Sequence, residues 1–452
     1  MRRADQIVSC GRSLYFVFCL PSSHNRNRFN MPNFASAFAR RDVLTPLAVR
    51  DFRFLITSNF LWWQARWMES ILVGWLVLEL TNSAWQVALM AFYRSIPFLL
   101  VGFFSGPIID RFGRRACIQF AQAANFLISA LITLLLWLGQ LELWHLAVAA
   151  LVMGSVWSVD WPARRSLIPD LVGKAQTVNA MMMENFVQNL SAIFGPFLGG
   201  ALIAALGAAG CYTMLAVTAG LALIMVLGLS RQPIPRTTMP SGESPFRRIG
   251  DGLQYAWRNH ALLGVMFITM VMNLCAFPYM DMLPVIARDV LHQGPIGLGM
   301  LGAATGVGSF MGLFVITKLR QRVSNNWIFA GGSAFMCLML IGFGLSTNFG
   351  LSLLLLVIGG LGRVCFGVMQ SSIMLLSASD EMRSRAMGSL TLFIGAGPFG
   401  RLQIGALSMA LGAASALALQ AGLGIVAIGV VLMLLPGFRQ PGVSQPRSLQ
   451  AS

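Results

Sequence analysis

Charge is scarce in this 452-residue chain. It carries 32 basic and 16 acidic residues, 11% of its length, where a soluble chain of that size holds about 113 charges. The deficit excludes an ordinary soluble enzyme, a disordered regulator and a nucleic-acid binder with a solvated surface. Metal-binding chemistry is scarce as well. The seven cysteines are scattered without a CxxC pair, and His24, His145, His260 and His292 stand alone. Neither a disulfide framework nor a metal site is expected, and no cofactor is implied. A GxxxxGK[ST] phosphate loop is also missing, which excludes ATP as the energy source.

What remains is apolar. Hydrophobic residues make up 56% of the chain, and 46 glycines join them. A crossing helix needs ~20 apolar residues, so about a dozen crossings use this supply. Apolar runs bounded by charge or turn residues fall at 54–80, 86–109, 116–138, 144–162, 177–205, 211–230, 259–283, 296–317, 326–347, 351–376, 386–410 and 413–436. Runs this long must be helical, because in lipid every backbone polar group has to pair within its own segment. The expected fold class is an all-α polytopic membrane protein of 12 transmembrane helices in two six-helix, pseudo-repeated halves.

The net charge of +16 is explained by where the arginines fall. An even number of crossings puts both termini on one side. If that side is the cytoplasm, 27 of the 32 basic residues lie in cytoplasmic segments, as the positive-inside rule requires. The polar break at 231–258, rich in Pro, Ser and Gly, separates a half at 54–230 from a half at 259–436. A cytoplasmic arm at 1–53 precedes them and a cytoplasmic tail at 437–452 follows. Leu151-Val152-Met153-Gly154 resembles Leu356-Val357-Ile358-Gly359, and Gly195-Pro196-Phe197 resembles Gly397-Pro398-Phe399, at offsets of 205 and 202 residues. Two such halves fit a transporter that rocks one against the other around a midplane site. The arm's short apolar run, Leu14 to Leu20, reads either as a signal peptide or as part of an over-extended start with Met31 the initiator.

Between the second and third runs lies Gly106-Pro-Ile-Ile-Asp110-Arg111-Phe-Gly113-Arg114-Arg115. The glycine would let its helix approach a neighbour closely. Asp110 sits where it can cap a helix or pair with arginine, and the arginines stay among the headgroups. The fifth run contains Ser191-Ala-Ile-Phe-Gly195-Pro196-Phe-Leu-Gly199-Gly200. Small residues four apart make a flat packing face, and the proline weakens the helix.

These strings resemble the signature loop and the G-x-x-x-G-P-x-x-G-G motif of the major facilitator superfamily, over roughly 51–436. The resemblance implies a gate in which Asp110, Arg111 and Arg114 stabilise an outward-facing state. It also implies export by antiport, with Ser191 standing where the second motif has its first glycine. The loop from Gly312 to Arg320 keeps a glycine and basic residues but lacks the Asp, which puts a matching second gate in doubt. Asp160-Trp161-Pro162-Ala163-Arg164-Arg165, Leu283-Pro284 with Arg288-Asp289, and Leu80-Thr81-Asn82-Ser83 resemble the group containing the enterobactin exporter and macrolide efflux proteins. One departure is that the fourth run lacks the mid-membrane arginine of many proton-coupled drug antiporters.

An ionisable side chain at mid-bilayer costs at least ~2.5–3.5 kcal/mol, so each one is a functional candidate. Arg66 and Arg363 each lie about 18 Å into their runs at 1.5 Å per residue. Glu69 shares a helix face with Arg66. Glu184 lies about a third of the way into the fifth run, and Asp160 and Asp281 are expected at the interface. Arg94 and Arg401 are expected to make a gating contact. In the superfamily helices 1, 4, 7 and 10 line the cavity, so the resemblance places Arg66, Glu69 and Arg363 at the substrate. The arginines would attract an anionic or hydroxyl-rich ligand beside Trp62, Trp63 and Trp67, and Glu69 or Glu184 would take the coupling proton. In the plainer alternative, Arg66 and Glu69 only neutralise each other.

The expected function is export of an amphipathic small molecule by proton antiport across the cytoplasmic (inner) membrane, with a siderophore as first substrate. A multidrug or macrolide efflux pump is the second reading, followed by an importer of a nutrient or lysolipid and by a membrane receptor. Expected partners are a small-molecule substrate, protons and the lipid bilayer, without nucleic acid, and the chain is expected to act as a monomer.

Overall fold

The apolar runs fold as helices. A computed structural model describes residues 41–230, 245–379 and 382–439, and no strand occurs among them. In chain order the rods are α1 (Arg50–Thr81), α2 (Ala84–Leu100, continued after a bend by Ser105–Phe112) and α3 (Arg114–Trp137). Next come α4 (143–172), α5 (174–206) and α6 (208–227), one helical path broken at Gly173 and Gly207. Their φ angles of 73° and 69° lie in the left-handed region that glycine enters without a Cβ clash. The rest are α7 (His260–Cys275, extended by Tyr279–Val285), α8 (Pro295–Leu319), α9 (Asn325–Leu345), α10 (Phe349–Ser377), α11 (Arg383–Ile394 and Gly397–Leu411) and α12 (Ala413–Leu434).

Eight helices among the described residues are long and apolar enough to cross a membrane, or nine if α2 counts as one bent span. That is fewer than the twelve apolar runs. α5 and α6 run on as one helical path, α11 is broken at 395–396, and α1 carries Gln64, Arg66 and Glu69 in its middle. Three boundaries also move. The fourth run continues past 162 to residue 172, so Arg164 and Arg165 are helical and not loop residues. The polar break contains the helix Pro245–Trp257, and the run at 386–410 splits. The N-terminal arm through residue 40, with His24 and Met31, lies outside the described residues, as do 231–244 and the tail from 440.

Large apolar side chains such as Phe120, Leu131, Leu376 and Met433 are more than half exposed. On a soluble surface such a band would drive association, whereas lipid accommodates it. Inside, α1 packs on the α4–α6 path, α8 lies against both α5 and α10, and α11 lies against α2. The contact between α5 and α8 is close because glycines form it. Gly200 faces the Pro295 carbonyl and Gly299, and Gly302 lies against Pro196. On α11, Gly405 meets Ala88 and Trp85 of the α2 segment. Polar links tie the segment after α7 to the end of α1. Arg288 Nη1 donates to the Leu78 carbonyl at 3.2 Å and its Nη2 donates to Asn82 Oδ1.

Candidate substrate and gating sites

Helical spacing places Arg66 and Glu69 on one face of α1, where Nη1 and Oε2 are 3.3 Å apart. The Arg66 guanidinium also lies 4.8 Å from the centre of the Trp157 ring on α4. Glu69 is buried and borders two small adjoining cavities, which also share Ser129 and Met153. The expected third member stands apart. Arg363 on α10 stacks over Trp67 at 5.7 Å and does not line either cavity. Of the aromatic trio, Trp62 lines a cavity, Trp67 carries Arg363, and Trp63 serves a different partner.

Asp281 on the extension of α7 joins three helices. It meets Arg94 of α2 at 3.3 Å and Arg401 of α11 at 3.0 Å, with its side chain only 7% exposed. The two arginines, expected to make a gating contact, therefore meet through a shared carboxylate. Asp281 lines the larger cavity together with Glu69 and Arg94. The two cavity walls carry Arg66 and Arg94 against Glu69 and Asp281, and Arg94 and Arg401 act electrostatically on Arg66.

A second buried network was not legible as a site. Arg164 on α4 is 2% exposed and donates from Nε to Asp160 Oδ1 at 2.9 Å. Its Nη1 donates to Asn59 Oδ1 at 2.6 Å and to Ser58 Oγ at 3.3 Å, and its guanidinium lies 5.1 Å from the Trp62 ring. Asn59 Nδ2 and Trp63 Nε1 donate to the two oxygens of Glu184 at 2.6 and 3.1 Å. Ser58 completes the path to α6 through the Ala222 carbonyl. Asp160, expected at the interface, is fully buried. The network ties α1, α4, α5 and α6 together, and both oxygens of Glu184 are occupied in it.

The signature loop is arranged differently from the expected gate. Gly113, at φ 85°, makes the turn between α2 and α3 that only glycine adopts easily. Asp110 is exposed and has no ion pair among the described residues, while Arg111 lies over the neighbouring Phe112 ring. Arg114 instead pairs with Asp170 near the end of α4, because it opens α3 beside that carboxylate. Arg115 donates to the Ser230 carbonyl at 2.8 Å, closing α3 onto the end of α6. Gly106 has open space where a Cβ would stand, so close packing is not its role. In the second motif the glycines divide their work. Gly195 and Gly199 receive Trp67 and Met68 of α1, Pro196 and Gly200 receive α8, and Ser191 is fully buried.

A family model described as transmembrane secretion effector matches residues 41–445. The chain belongs to that family of major facilitator transporters. It is 22% identical to the staphyloferrin A transporter of Staphylococcus aureus, over 60% of this chain and 68% of that one. It is 27% identical to the multidrug efflux pump Tap of Mycobacterium tuberculosis, over 81% and 88%. With the enterobactin exporter EntS of Citrobacter koseri it shares 23% identity over 86% and 94%. Its fold superposes on a point mutant of the nucleoside transporter NupG with a TM-score of 0.69 at 10% identity, covering 85% of this chain and 98% of that one. It is a multi-pass membrane transporter for a small molecule, and its relatives include efflux proteins.

Proposed function

We propose that this transporter exports an amphipathic small molecule, a siderophore in the first instance, across the inner membrane in exchange for protons. The observation that carries the reading is the Arg66–Glu69 pair at the wall of the smaller cavity, with Glu69 bordering the larger cavity as well. A ligand oxygen would accept from Arg66 while a ligand hydroxyl donates to the Glu69 carboxylate. A proton and that hydroxyl compete for the same oxygen, so proton uptake releases the ligand, which is the sign antiport requires. Glu184 serves this less well than Glu69, since Asn59 and Trp63 already occupy its oxygens. The relatives named for staphyloferrin A and enterobactin support the substrate class.

The same reading has twelve crossings in two halves, 54–230 and 259–436, in a monomer with both termini and the arginine-rich loops cytoplasmic. The join through Arg94, Asp281, Arg288 and Gly200 is then the outer gate, and Asp110, Arg111, Arg114 and Arg115 belong to the inner one. Alternating access breaks the first and forms the second. Drug efflux is the second reading, favoured by the Trp62 and Trp157 rings at the smaller cavity and by the relative Tap.

Iron-limited growth of a deletion strain tests the substrate class, with chelator assayed in the medium and inside the cell. Loss of secretion with internal accumulation is expected. Normal secretion would remove the siderophore and move the assignment to drug efflux.

A further inference from the structure

Two helices break side by side, and one buried side chain of a third helix bonds to both. In an unbroken α7 the Leu274 carbonyl would accept from the N–H of residue 278, but residue 278 is proline and has none. The chain turns there. Ala276 and Phe277 both donate to the Met272 carbonyl, at 3.0 and 2.9 Å, and Tyr279, Met280 and Asp281 begin the outer segment with bonds to the third residue back. α11 breaks at 395–396, next to Pro398, and its outer segment Gly397–Leu411 crosses the end of the inner α7 segment. A Cβ on Gly400 would stand 2.5 Å from the Leu274 carbonyl oxygen and 2.7 Å from that of Asn273, so only glycine admits the crossing without displacement. Gln420 of α12 is fully buried at this point. Its Nε2 donates to the Leu274 carbonyl at 2.6 Å and to the Gly400 carbonyl at 3.2 Å. An amide nitrogen has two hydrogens, and here each goes to a different helix. Oε1 has no partner among the described residues, so the donors set the orientation of the amide. The carbonyl that Pro278 leaves bare thus receives from α12 the donor that α7 lacks.

We propose that Gln420 is a positioning residue of the outer gate, the clasp that makes the outer segments of α7 and α11 move as one body. Asp281 follows the α7 break, Arg401 follows Gly400 directly, and the two pair at 3.0 Å. By holding the start of the outer α11 segment against the end of the inner α7 segment, Gln420 keeps Arg401 in register with Asp281. Opening the gate then separates Arg94 of α2 from Asp281, while the clasp and the Asp281–Arg401 pair stay closed. Without the amide the Leu274 carbonyl has no donor, the two breaks part, and Arg401 is no longer presented to Asp281. The inference rests on the reading of Arg94 and Asp281 as outer-gate contacts.

Hydrogen–deuterium exchange of the full-length protein in lipid nanodiscs tests it. In Gln420→Leu, exchange at 276–283 and 397–404 should be about tenfold faster than in wild type, the size of one buried carbonyl deprived of its donor. Exchange in α3, among the first six helices, should not change. The decisive readout is coupling. Asp281→Asn alone should speed exchange at 397–404, and adding it to Gln420→Leu should add little, because Arg401 has already lost its register. A side chain that only fills space would give effects that add. Gly400→Ala, whose Cβ meets the Leu274 carbonyl, should open the same two segments, and it decides the matter if Gln420→Leu does not elute as a monodisperse protein. Unchanged exchange at the two breaks, an equal rise in α3, or additive effects would overturn the proposal. Unchanged exchange at 78–95 in Asp281→Asn, with the coupling at 397–404 intact, overturns only the gate reading.

Discussion

Replacing Arg164 by leucine isolates the buried network from the transport chemistry. In the wild type Arg164 neutralises Asp160, which is fully buried, and bonds Asn59 and Ser58 on α1. Removing one member of a buried ion pair leaves the other charge uncompensated and destabilises by about 3–5 kcal/mol. The contact with the Trp62 ring adds about 0.5–2 kcal/mol to the loss. The double variant Asp160→Asn/Arg164→Leu has no stranded charge, and replacing a buried pair as a whole is often close to neutral. It should regain most of the stability. Titration of the purified proteins with sodium dodecyl sulfate in mixed micelles, followed by tryptophan fluorescence, measures the differences. A single variant within about 1 kcal/mol of wild type, or a double variant as unstable as the single, would refute the view that Arg164 holds α1, α4 and α5 together as a compensated buried charge.

Asp281→Asn should loosen the join between α2, α7 and α11, seen as faster hydrogen–deuterium exchange at residues 78–95 and 281–292; unchanged exchange would remove the triad from the gate. Gly200→Val places side-chain atoms against the Pro295 carbonyl and should abolish transport, whereas Gly106→Ala enters open space and should transport normally, so equal effects in an efflux assay would contradict the assigned packing. Glu184→Gln should lower thermal stability more than it alters coupling, since an amide presents a donor to Asn59 Nδ2 or Trp63 Nε1; intact stability with lost coupling would return Glu184 to the proton path.

The family and the helical class were legible because they depend on local signals: hydropathy, arginine placement and two short strings. The site was legible only where its members are neighbours in sequence. Arg66 and Glu69 are three residues apart and could be paired on one helix face. Arg164 was placed in a loop because an arginine just past Pro162 looks like the end of an apolar run. The helix continues because Ser58 and Asn59, more than a hundred residues earlier, satisfy the charge. The available signal was the four-residue spacing of Asp160 and Arg164 together with a polar Ser-Asn pair inside the first run. Arg94, Asp281 and Arg401 were each noticed, yet what joins them is tertiary packing of α2, α7 and α11, which no spacing encodes. The signature loop was legible in its residue types but not in its partners. Its residues matched the superfamily pattern, but pairing across a turn depends on which carboxylate lies nearest, and for Arg114 that is Asp170.

Proton-coupled export through Glu69 is tested most directly in everted membrane vesicles from cells producing the protein. Respiration acidifies the vesicle interior, and a weak-base dye reports the gradient. Chelator extracted from an iron-limited culture should dissipate the gradient in wild-type vesicles and leave it intact in Glu69→Gln vesicles with equal protein content. Equal dissipation in both, or chelator uptake that persists after the gradient is collapsed, would contradict proton antiport through Glu69.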